Sequence, residues 1–494
     1  MTDSRSTEKT IETSVPARLD RLPWASWHWR IIIGLGTVWI LDGLEVTIVG
    51  NIAPRLSEKG SGLPISTSQV TGIAAALYVA GACVGALLFG YLTDRYGRKK
   101  LFMITLAVYL AATAATALSF APWWFFLFRF LTGLGIGGEY AAINSAIDEL
   151  IPREQRGRVD LSINGSFWIG SAIGALLSLL VLNESLLPAN VGWRLSFGLG
   201  VVLGLGILLV RRNVPESPRW LFIHGHERKA EKLVREVEAD VEEDIGEQLD
   251  DVDDTIRIEQ RKTVGFFEIA RTVLTTYPRR TVLGLALFIG QAFIYNAITF
   301  GYASILSTFF KTPSSSTGYY YVVIAVGNFL GPFLLGRFFD TVGRRPMIAG
   351  TYITSGVLLF VTAWLFDQGH LDATTMTACW TVVLFFASAG ASSAYLTVSE
   401  VFPMETRAMA IAFFFAIGTG IGGITGPLLF SKLTSSGNVS DTVVAFVVGA
   451  AVMCAAGVVA AFFAVDAEQK GLEEIAEPLS ASPASPASQA SQAR

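Results

Sequence analysis

The sequence is poor in charge, in cysteine and in histidine. Only 16% of its 494 residues are Asp, Glu, Lys or Arg, whereas soluble globular chains carry about 25%. The three cysteines lie far apart in apolar runs, and the four histidines lie in loops or at the ends of those runs. A net charge of −4 gives no electrostatic basis for binding nucleic acid. We therefore expect no disulfide framework, no metal, no cofactor and no nucleic-acid partner.

Apolar residues make up 52% of the chain and cluster in long runs. Runs of about twenty residues with few charges recur, and each is long enough to cross a hydrocarbon core of about 30 Å as a helix. About twelve such runs can be counted. The first begins near Ile31, behind a polar leader without a small-residue cleavage site, and is predicted to be retained. The pattern predicts an all-α membrane protein with twelve transmembrane helices.

Basic residues gather in alternate loops, near residues 95–100, 153–158, 211–212, 279–280 and 344–345. Because loops rich in Lys and Arg face the cytoplasm, this side is predicted to be cytoplasmic. An even number of spans then places both termini there as well. We expect a monomeric, multi-pass protein of the plasma membrane, in contact with the lipid bilayer.

An internal repeat divides the chain into two six-span halves. The segment "DRYGRKK" at 94–100 returns as "DTVGRRP" at 340–346, an offset of 246, and "ELIPREQRGR" from Glu149 returns as "EVFPMETRAM" from Glu400, an offset of 251. Such parallel repeats are typical of transporters. The predicted organisation is a disordered cytoplasmic N-terminus over 1–26, a first half over 27–212, a cytoplasmic linker with short helices over 213–278, a second half over 279–466, and a disordered tail over 467–494.

Two acids, Asp42 and Glu45, interrupt the first apolar run. A carboxylate at a helix centre costs about 2.5–3.5 kcal/mol on insertion scales, so the pair requires a reason. Their spacing places them on one helix face. Glu45 and Arg129 of the fourth run both lie roughly 21 Å from the cytoplasmic side, so an ion pair between them is possible. This pair is either a static link between helices or a proton-coupling site, in which Asp42 assists.

A third acid, Glu139, follows the glycine-rich segment "GLGIGG" of the fourth run. Glycines there allow a neighbouring helix to come close. Glu139 is a candidate for contact with substrate or proton.

The charged motifs at the ends of spans are candidates for gating, because ion pairs there can lock one half against the other. Plain topology signals are the alternative. The candidate gating residues are Asp94, Arg95, Gly97, Arg98, Glu149, Arg156, Asp340, Arg344, Glu400 and Arg407.

Uncharged polar residues occupy the seventh and eighth runs. Gln291, Tyr295, Asn296 and Asn328 can hydrogen-bond a polar ligand at modest insertion cost. Hydrogen bonds between helices are the competing explanation for them.

From Trp27 to Val465 the chain resembles the major facilitator superfamily, in particular its sugar-porter-like branch. The segments that carry the resemblance are "DRYGRKK" with its repeat "DTVGRRP", "RFLTGLGIGG", "PREQRGR", "PESPRWL" and "SEVFPMETRA". The resemblance implies two six-helix halves that expose a central site alternately to each side.

The resemblance implies which residues couple protons and which bind substrate. Glu45 matches the proton-coupling acid of sugar symporters, and Arg129 matches its partner. Asn164 matches a sugar-binding amide of the fifth span, while Gln291 and Asn296 match amides of the seventh.

Departures from the sugar-porter pattern bear on the substrate. Gly290 stands where that pattern has an amide, and "LDGLE" and "GIGGEY" are similar to variants found in symporters of organic acids, aromatic acids and other metabolites. We predict a proton-coupled symporter that imports a small polar metabolite, an organic or aromatic acid in the first place. A sugar symporter, an uncoupled facilitator or exporter and, from another class, a transporter-like nutrient receptor are the alternatives. No nucleophile paired with a base and no phosphate-binding loop indicates an enzyme.

Overall fold

The computed structural model describes residues 10–58, 60–152, 155–183, 185–211, 216–251, 255–259, 271, 274–402, 407–467 and 475. Almost all of this part of the chain is helical. It contains twelve long helices, which are called spans 1 to 12 below. Eleven of them are apolar and long enough to cross a membrane. The twelfth is span 4, which carries Arg129 and Glu139.

Spans 1 to 6 form the first half. Two of them are irregular: span 2 begins with a π-helical turn, and span 5 is interrupted at Ser166. Their bounds are Ser26–Leu56; Gln69–Ala74 continued by Ala75–Tyr96; Arg98–Ala117; Pro122–Leu150; Arg156–Gly165 continued by Phe167–Val181; and Ala189–Arg211.

Spans 7 to 12 form the second half. Span 11 contains a π-helical turn at its middle, a feature that is frequent at functional sites. Their bounds are Pro278–Phe310; Thr317–Thr341; Arg344–Asp367; Ala373–Val401; Arg407–Phe414, Phe415–Thr419 and Gly420–Thr434; and Val439–Phe463.

The two halves repeat one packing pattern. In the first half span 1 packs on span 5, span 2 on span 4 and span 3 on span 6; in the second half spans 7 and 11, 8 and 10, and 9 and 12 pack in the same way. The repeated motif has the same backbone in both copies: Gly97 and Gly343 have φ angles of 92° and 116°, a region that L side chains rarely adopt. The predicted fold class is confirmed.

Glycines allow the closest helix crossings of the first half. A Cβ atom on Gly133 of span 4 would lie 1.9 Å from the carbonyl oxygen of Tyr78 in span 2, and one on Gly81 would lie 2.0 Å from that of Phe130. Spans 1 and 5 cross as closely, since a Cβ atom on Gly170 would lie 1.8 Å from the carbonyl oxygen of Ile40. Any side chain at these positions would therefore push two helix backbones apart.

The halves touch through spans 1 and 7, 2 and 11, and 5 and 8. The side of the molecule next to the linker helix Glu227–Ile245 is called the linker side, because the backbone N–H of Ser26 donates to Asp244 of that helix at 2.7 Å. On the opposite side, called the far side, the Tyr302 hydroxyl donates to Asn51 across the boundary between the halves. Ser431 likewise donates to the carbonyl oxygen of Ser68 at 3.0 Å.

The expectation of disorder over residues 1–26 was wrong for residues 10–26. A strand, Thr10–Thr13, pairs antiparallel with Ile256–Glu259 of the linker, and a short helix, Val15–Asp20, follows it. Val15 and Leu19 of that helix are buried. The apolar surface of this segment lies against the linker, a contact between residues more than 200 positions apart that no local pattern could predict. The tail expected from 467 on lies outside the described residues except for 467 and 475.

Ion pairs fasten this segment to the linker helix. Arg18 contacts Glu231 at 2.8 Å and pairs with Glu238, which Arg21 also contacts at 2.6 Å. Burial raises the pKa of the Glu238 carboxyl, but the hydrogen bonds from Arg18 and Arg21 outweigh it, so that its pKa lies below the ordinary value. The stabilisation from a lowered carboxyl pKa is present above the unfolded value of about 4.3 and is lost as the pH falls through the folded value.

Replacing Arg18 by alanine should therefore loosen the linker helix at neutral pH. We expect limited proteolysis of the linker to become a few times faster, in line with about 1 kcal/mol for a partly exposed pair. Arg228→Ala on the exposed face of the same helix is the control and should leave the rate unchanged. Acidification to below about pH 4 should speed cleavage of the native protein more than that of the variant. Equal rates for both variants would contradict the role of this ion pair.

Candidate transport site

The two groups predicted to pair inside the membrane do pair. Arg129 of span 4 donates a hydrogen bond through Nη1 to the Glu45 carboxylate of span 1, and both side chains are fully buried. Because both side chains are shielded from water by the protein, each charge is stabilised by the opposite charge of its partner. The ion pair is confirmed, while a role in proton coupling stays a prediction.

The Tyr78 ring connects this ion pair to Asp42. The Arg129 guanidinium lies 4.7 Å from the centre of the Tyr78 ring, a cation–π contact. The hydroxyl of the same tyrosine donates to Asp42 Oδ1 at 2.6 Å, and Tyr140 of span 4 donates to Asp42 Oδ2. Two hydroxyl donors thus satisfy the Asp42 carboxylate, which is completely buried.

A cavity of about 140 Å³ lies beside Asp42, between the two halves. A cavity of about 150 Å³ holds a benzene molecule, so the space fits one six-membered ring. Eight of its twenty lining residues are aromatic, and the wall contains no Lys, Arg or His among the described residues. The lining residues are Trp39, Asp42, Val46, Tyr78, Val79, Ala82, Tyr140, Asn164, Phe167, Trp168, Gln291, Tyr295, Asn296, Thr299, Ser388, Ala391, Ser392, Tyr395, Phe415 and Thr419.

Four of the predicted substrate-binding residues line this cavity. They are Asn164 of the first half, with Gln291, Tyr295 and Asn296 of the second. The Asn164 and Asn296 side chains each donate to a carbonyl oxygen one turn earlier in their own helices, at 2.9 Å. These bonds orient the two amides in the cavity wall.

Two predicted substrate-binding residues are absent from the cavity wall. Glu139 is buried against span 3, where it accepts a hydrogen bond from Thr105 at 3.1 Å. Asn328 lies behind Tyr295, whose hydroxyl donates to its Oδ1 at 3.0 Å. The position of a residue along its apolar run gives its depth in the membrane. It does not distinguish a residue that faces the cavity from one that faces a neighbouring helix.

Sequence reasoning missed most of the aromatic wall. Trp39 and Tyr140 stack with ring centroids 4.7 Å apart, and Trp168 meets Tyr295 across the boundary between the halves at 5.3 Å. Aromatic residues in apolar runs are usually core residues, so their identity alone does not indicate a binding site. The available signal was the nearby acids: Tyr140 follows Glu139, and Trp39 lies one helical turn before Asp42.

Among the side chains that the structure describes, the predicted gating charges that contact one another lie in the second half. The Arg344 guanidinium donates two hydrogen bonds to Glu400, at 2.9 and 3.2 Å, and one to Asp340 at 2.7 Å. In the first half Arg95 lies over the Tyr96 ring at 5.4 Å, and Gly97 forms the turn described above. The role in gating stays a prediction. The side chains of Asp94, Arg98, Glu149, Arg156 and Arg407 lie outside the described residues.

The family of the chain follows from a comparison with protein-family models. Residues 50–479 match the model described as "Sugar (and other) transporter". The chain belongs to this family. Its members in the major facilitator superfamily are transporters and not enzymes, and this chain is a multi-pass membrane transporter of small molecules. Among the described residues no group of His, Cys, Asp or Glu could hold a metal ion.

Similar proteins include transporters with different named substrates. The niacin transporter NiaP of Acinetobacter baylyi is 27% identical over 84% of this chain and 90% of its own length. Myo-inositol transporter 2 of Schizosaccharomyces pombe is 27% identical over 94% of this chain and 83% of its own length. The solved structure of the proton:xylose symporter XylE with a bromodeoxyglucose has a TM-score of 0.73 at 18% identity, and covers 91% of this chain and 98% of XylE. This structural likeness shows the fold.

Proposed function

We propose that this transporter is a proton-coupled symporter that imports a small ring-bearing metabolite, in the first place an aromatic or other organic acid. The observation that carries the proposal is the buried chain of contacts from Arg129 and Glu45, through Tyr78, to Asp42 in the cavity wall. Because it joins an ionisable pair to the cavity, a change of protonation and a change of occupancy affect each other.

The charges of the cavity support an acid that enters together with a proton. Asp42 is the acidic residue of the wall, and no basic residue accompanies it among the described lining residues. A substrate carboxylate next to an Asp42 carboxylate would be strongly repelled at low dielectric. One proton shared between the two carboxyl groups removes this repulsion. The named substrate of the A. baylyi relative, niacin, favours the same class.

A cyclic polyol or sugar is the second candidate. The amides of Asn164, Gln291 and Asn296 offer donors and acceptors without charge, which suits hydroxyl groups. The S. pombe relative is named for myo-inositol, a ring polyol. Under this proposal the aromatic wall packs against the ring face in either case.

We place the protein in the plasma membrane with its linker side in the cytoplasm. The basic loops of the sequence support this orientation. Rocking of the two halves around the cavity would then expose it alternately to each side.

The test is uptake into proteoliposomes under an inward proton gradient. The panel consists of labelled pyridine and benzene carboxylates, cyclic polyols and aldoses. We expect one class, the aromatic acids, to accumulate, with up to about tenfold accumulation per pH unit for one proton per substrate. A protonophore is the control and should abolish accumulation but not exchange. Equilibration without accumulation would indicate an uncoupled facilitator and contradict the proposal.

A further inference from the structure

The two hydroxyl groups bound to Asp42 come from opposite directions along the membrane normal. Tyr78 lies roughly 13 Å from the far-side end of span 2, whereas Tyr140 lies roughly 27 Å from the far-side end of span 4. Asp42 lies between these levels, roughly 21 Å from the far-side end of span 1. One tyrosine therefore extends from the carboxylate toward the far side and the other toward the linker side.

Each tyrosine ring also touches a ring of the other half. Tyr78 meets Phe300 of span 7 edge-on, with centroids 6.3 Å apart, and Tyr140 meets Phe415 of span 11 at 4.8 Å. The two rings of each pair lie at similar depths in the membrane. Phe300 lies roughly 15 Å from the far-side end of its span, close to the depth of Tyr78, and Phe415 lies roughly 28 Å from the far-side end of its span, close to the depth of Tyr140. Phe415 begins the π-helical turn of span 11. The first contact lies toward the far side of Asp42, and the second lies toward its linker side.

We propose that Asp42 and its two tyrosines select which side of the transporter opens. Tyr78 is a positioning residue for the far-side contact between the halves, and Tyr140 is the corresponding residue for the linker-side contact. While the carboxylate holds both hydroxyls, both rings stay against the other half and the cavity stays closed. A proton or a substrate group that takes up one carboxylate oxygen releases one tyrosine and weakens the contact on that side. The proposal rests on alternating access and adds the device that chooses the side.

Other ionisable groups surround this device. Glu45 lies on the same span, and Glu139 of span 4 also acts on Asp42 electrostatically. Tyr395 of span 10 also interacts electrostatically with Asp42. Arg129 is engaged by Glu45 and by the face of the Tyr78 ring. A charge change at the ion pair therefore acts on Asp42 directly, from Glu45, and also through the Tyr78 ring and its hydroxyl.

Phenylalanine variants of the two tyrosines test the proposal, because they keep the ring and delete only the hydroxyl. Distances between the halves are measured by electron spin resonance in a background whose three native cysteines are replaced. One label pair reports the far side, at Ser185 and Ser436, and another reports the linker side, at Lys100 and Thr341; all four positions are exposed. No substrate and no proton gradient are added, so the result does not depend on what is transported.

Opposite responses are expected from the two variants. Tyr78→Phe should raise the population of long far-side distances by about tenfold, as for the loss of one hydrogen bond to a charged group, and leave the linker side unchanged. Tyr140→Phe should do the reverse. Tyr352→Phe is the matched control, because this buried tyrosine donates to the Leu287 carbonyl oxygen within the second half. It should change neither distance.

Two results would overturn the proposal. The first is that both variants widen the same side, and the second is that folded, monodisperse samples of both variants keep the native distances. A separate failure of acid uptake would count against the proposed substrate and not against this gate. Asp42→Ala gives an independent reading: because it removes both acceptor oxygens, it should weaken both contacts together, whereas a purely structural role for Asp42 would lower thermal stability without widening either distance.

Discussion

Glu45→Gln is expected to abolish pH-driven accumulation of substrate while counterflow exchange stays measurable. Glutamine cannot take up or release a proton, so the Arg129 guanidinium never alternates between a charged and a neutral partner. An inward gradient of one pH unit should drive up to about tenfold accumulation in the native protein and a ratio of about one in the variant. Labelled-substrate uptake and exchange in proteoliposomes measure both quantities.

Loss of folding must be separated from loss of coupling in this experiment. Removal of one partner from a buried ion pair costs about 3–5 kcal/mol, because the remaining charge is uncompensated. The double variant Glu45→Gln with Arg129→Gln removes that charge, so it should regain thermal stability without regaining accumulation. Asp367→Asn, at the exposed end of span 9, should behave like the native protein. Accumulation that persists in Glu45→Gln would remove Glu45 from the coupling mechanism.

Gly133→Ala is expected to lower both stability and transport. The added methyl group would lie 1.9 Å from the Tyr78 carbonyl oxygen, so spans 2 and 4 must move apart. Overpacking of this kind costs about 1–3 kcal/mol. The displacement also shifts the Tyr78 ring relative to Arg129 and its hydroxyl relative to Asp42. We therefore expect a lower unfolding temperature and a several-fold lower uptake rate.

Gly198 of span 6 provides the control for this substitution. A Cβ atom there meets nothing within 4 Å, so Gly198→Ala should preserve stability or raise it through better helix propensity. A variant at Gly133 that is as stable and as active as Gly198→Ala would contradict the close crossing of spans 2 and 4.

Apolar runs and repeated motifs were sufficient to predict the fold, because a membrane restricts the chain to helices of a set length. Depth along each run also predicted the pairing of Glu45 with Arg129. Depth could not predict orientation around the helix axis. For that reason Glu139 was expected in the cavity, where the structure instead shows contact with Thr105. The two hydroxyls that bind Asp42 come from spans 2 and 4, and their convergence on span 1 depends on packing between spans that no local pattern encodes.

The strand pairing of the N-terminal segment has a mechanical consequence. The pairing of Thr10–Thr13 with Ile256–Glu259 fixes the end of the described linker to the segment that leads into span 1. Arg18 and Arg21 of the same segment hold the linker helix Glu227–Ile245 through Glu231 and Glu238. The linker up to Glu259 should therefore move with the first half as one body when the two halves rock.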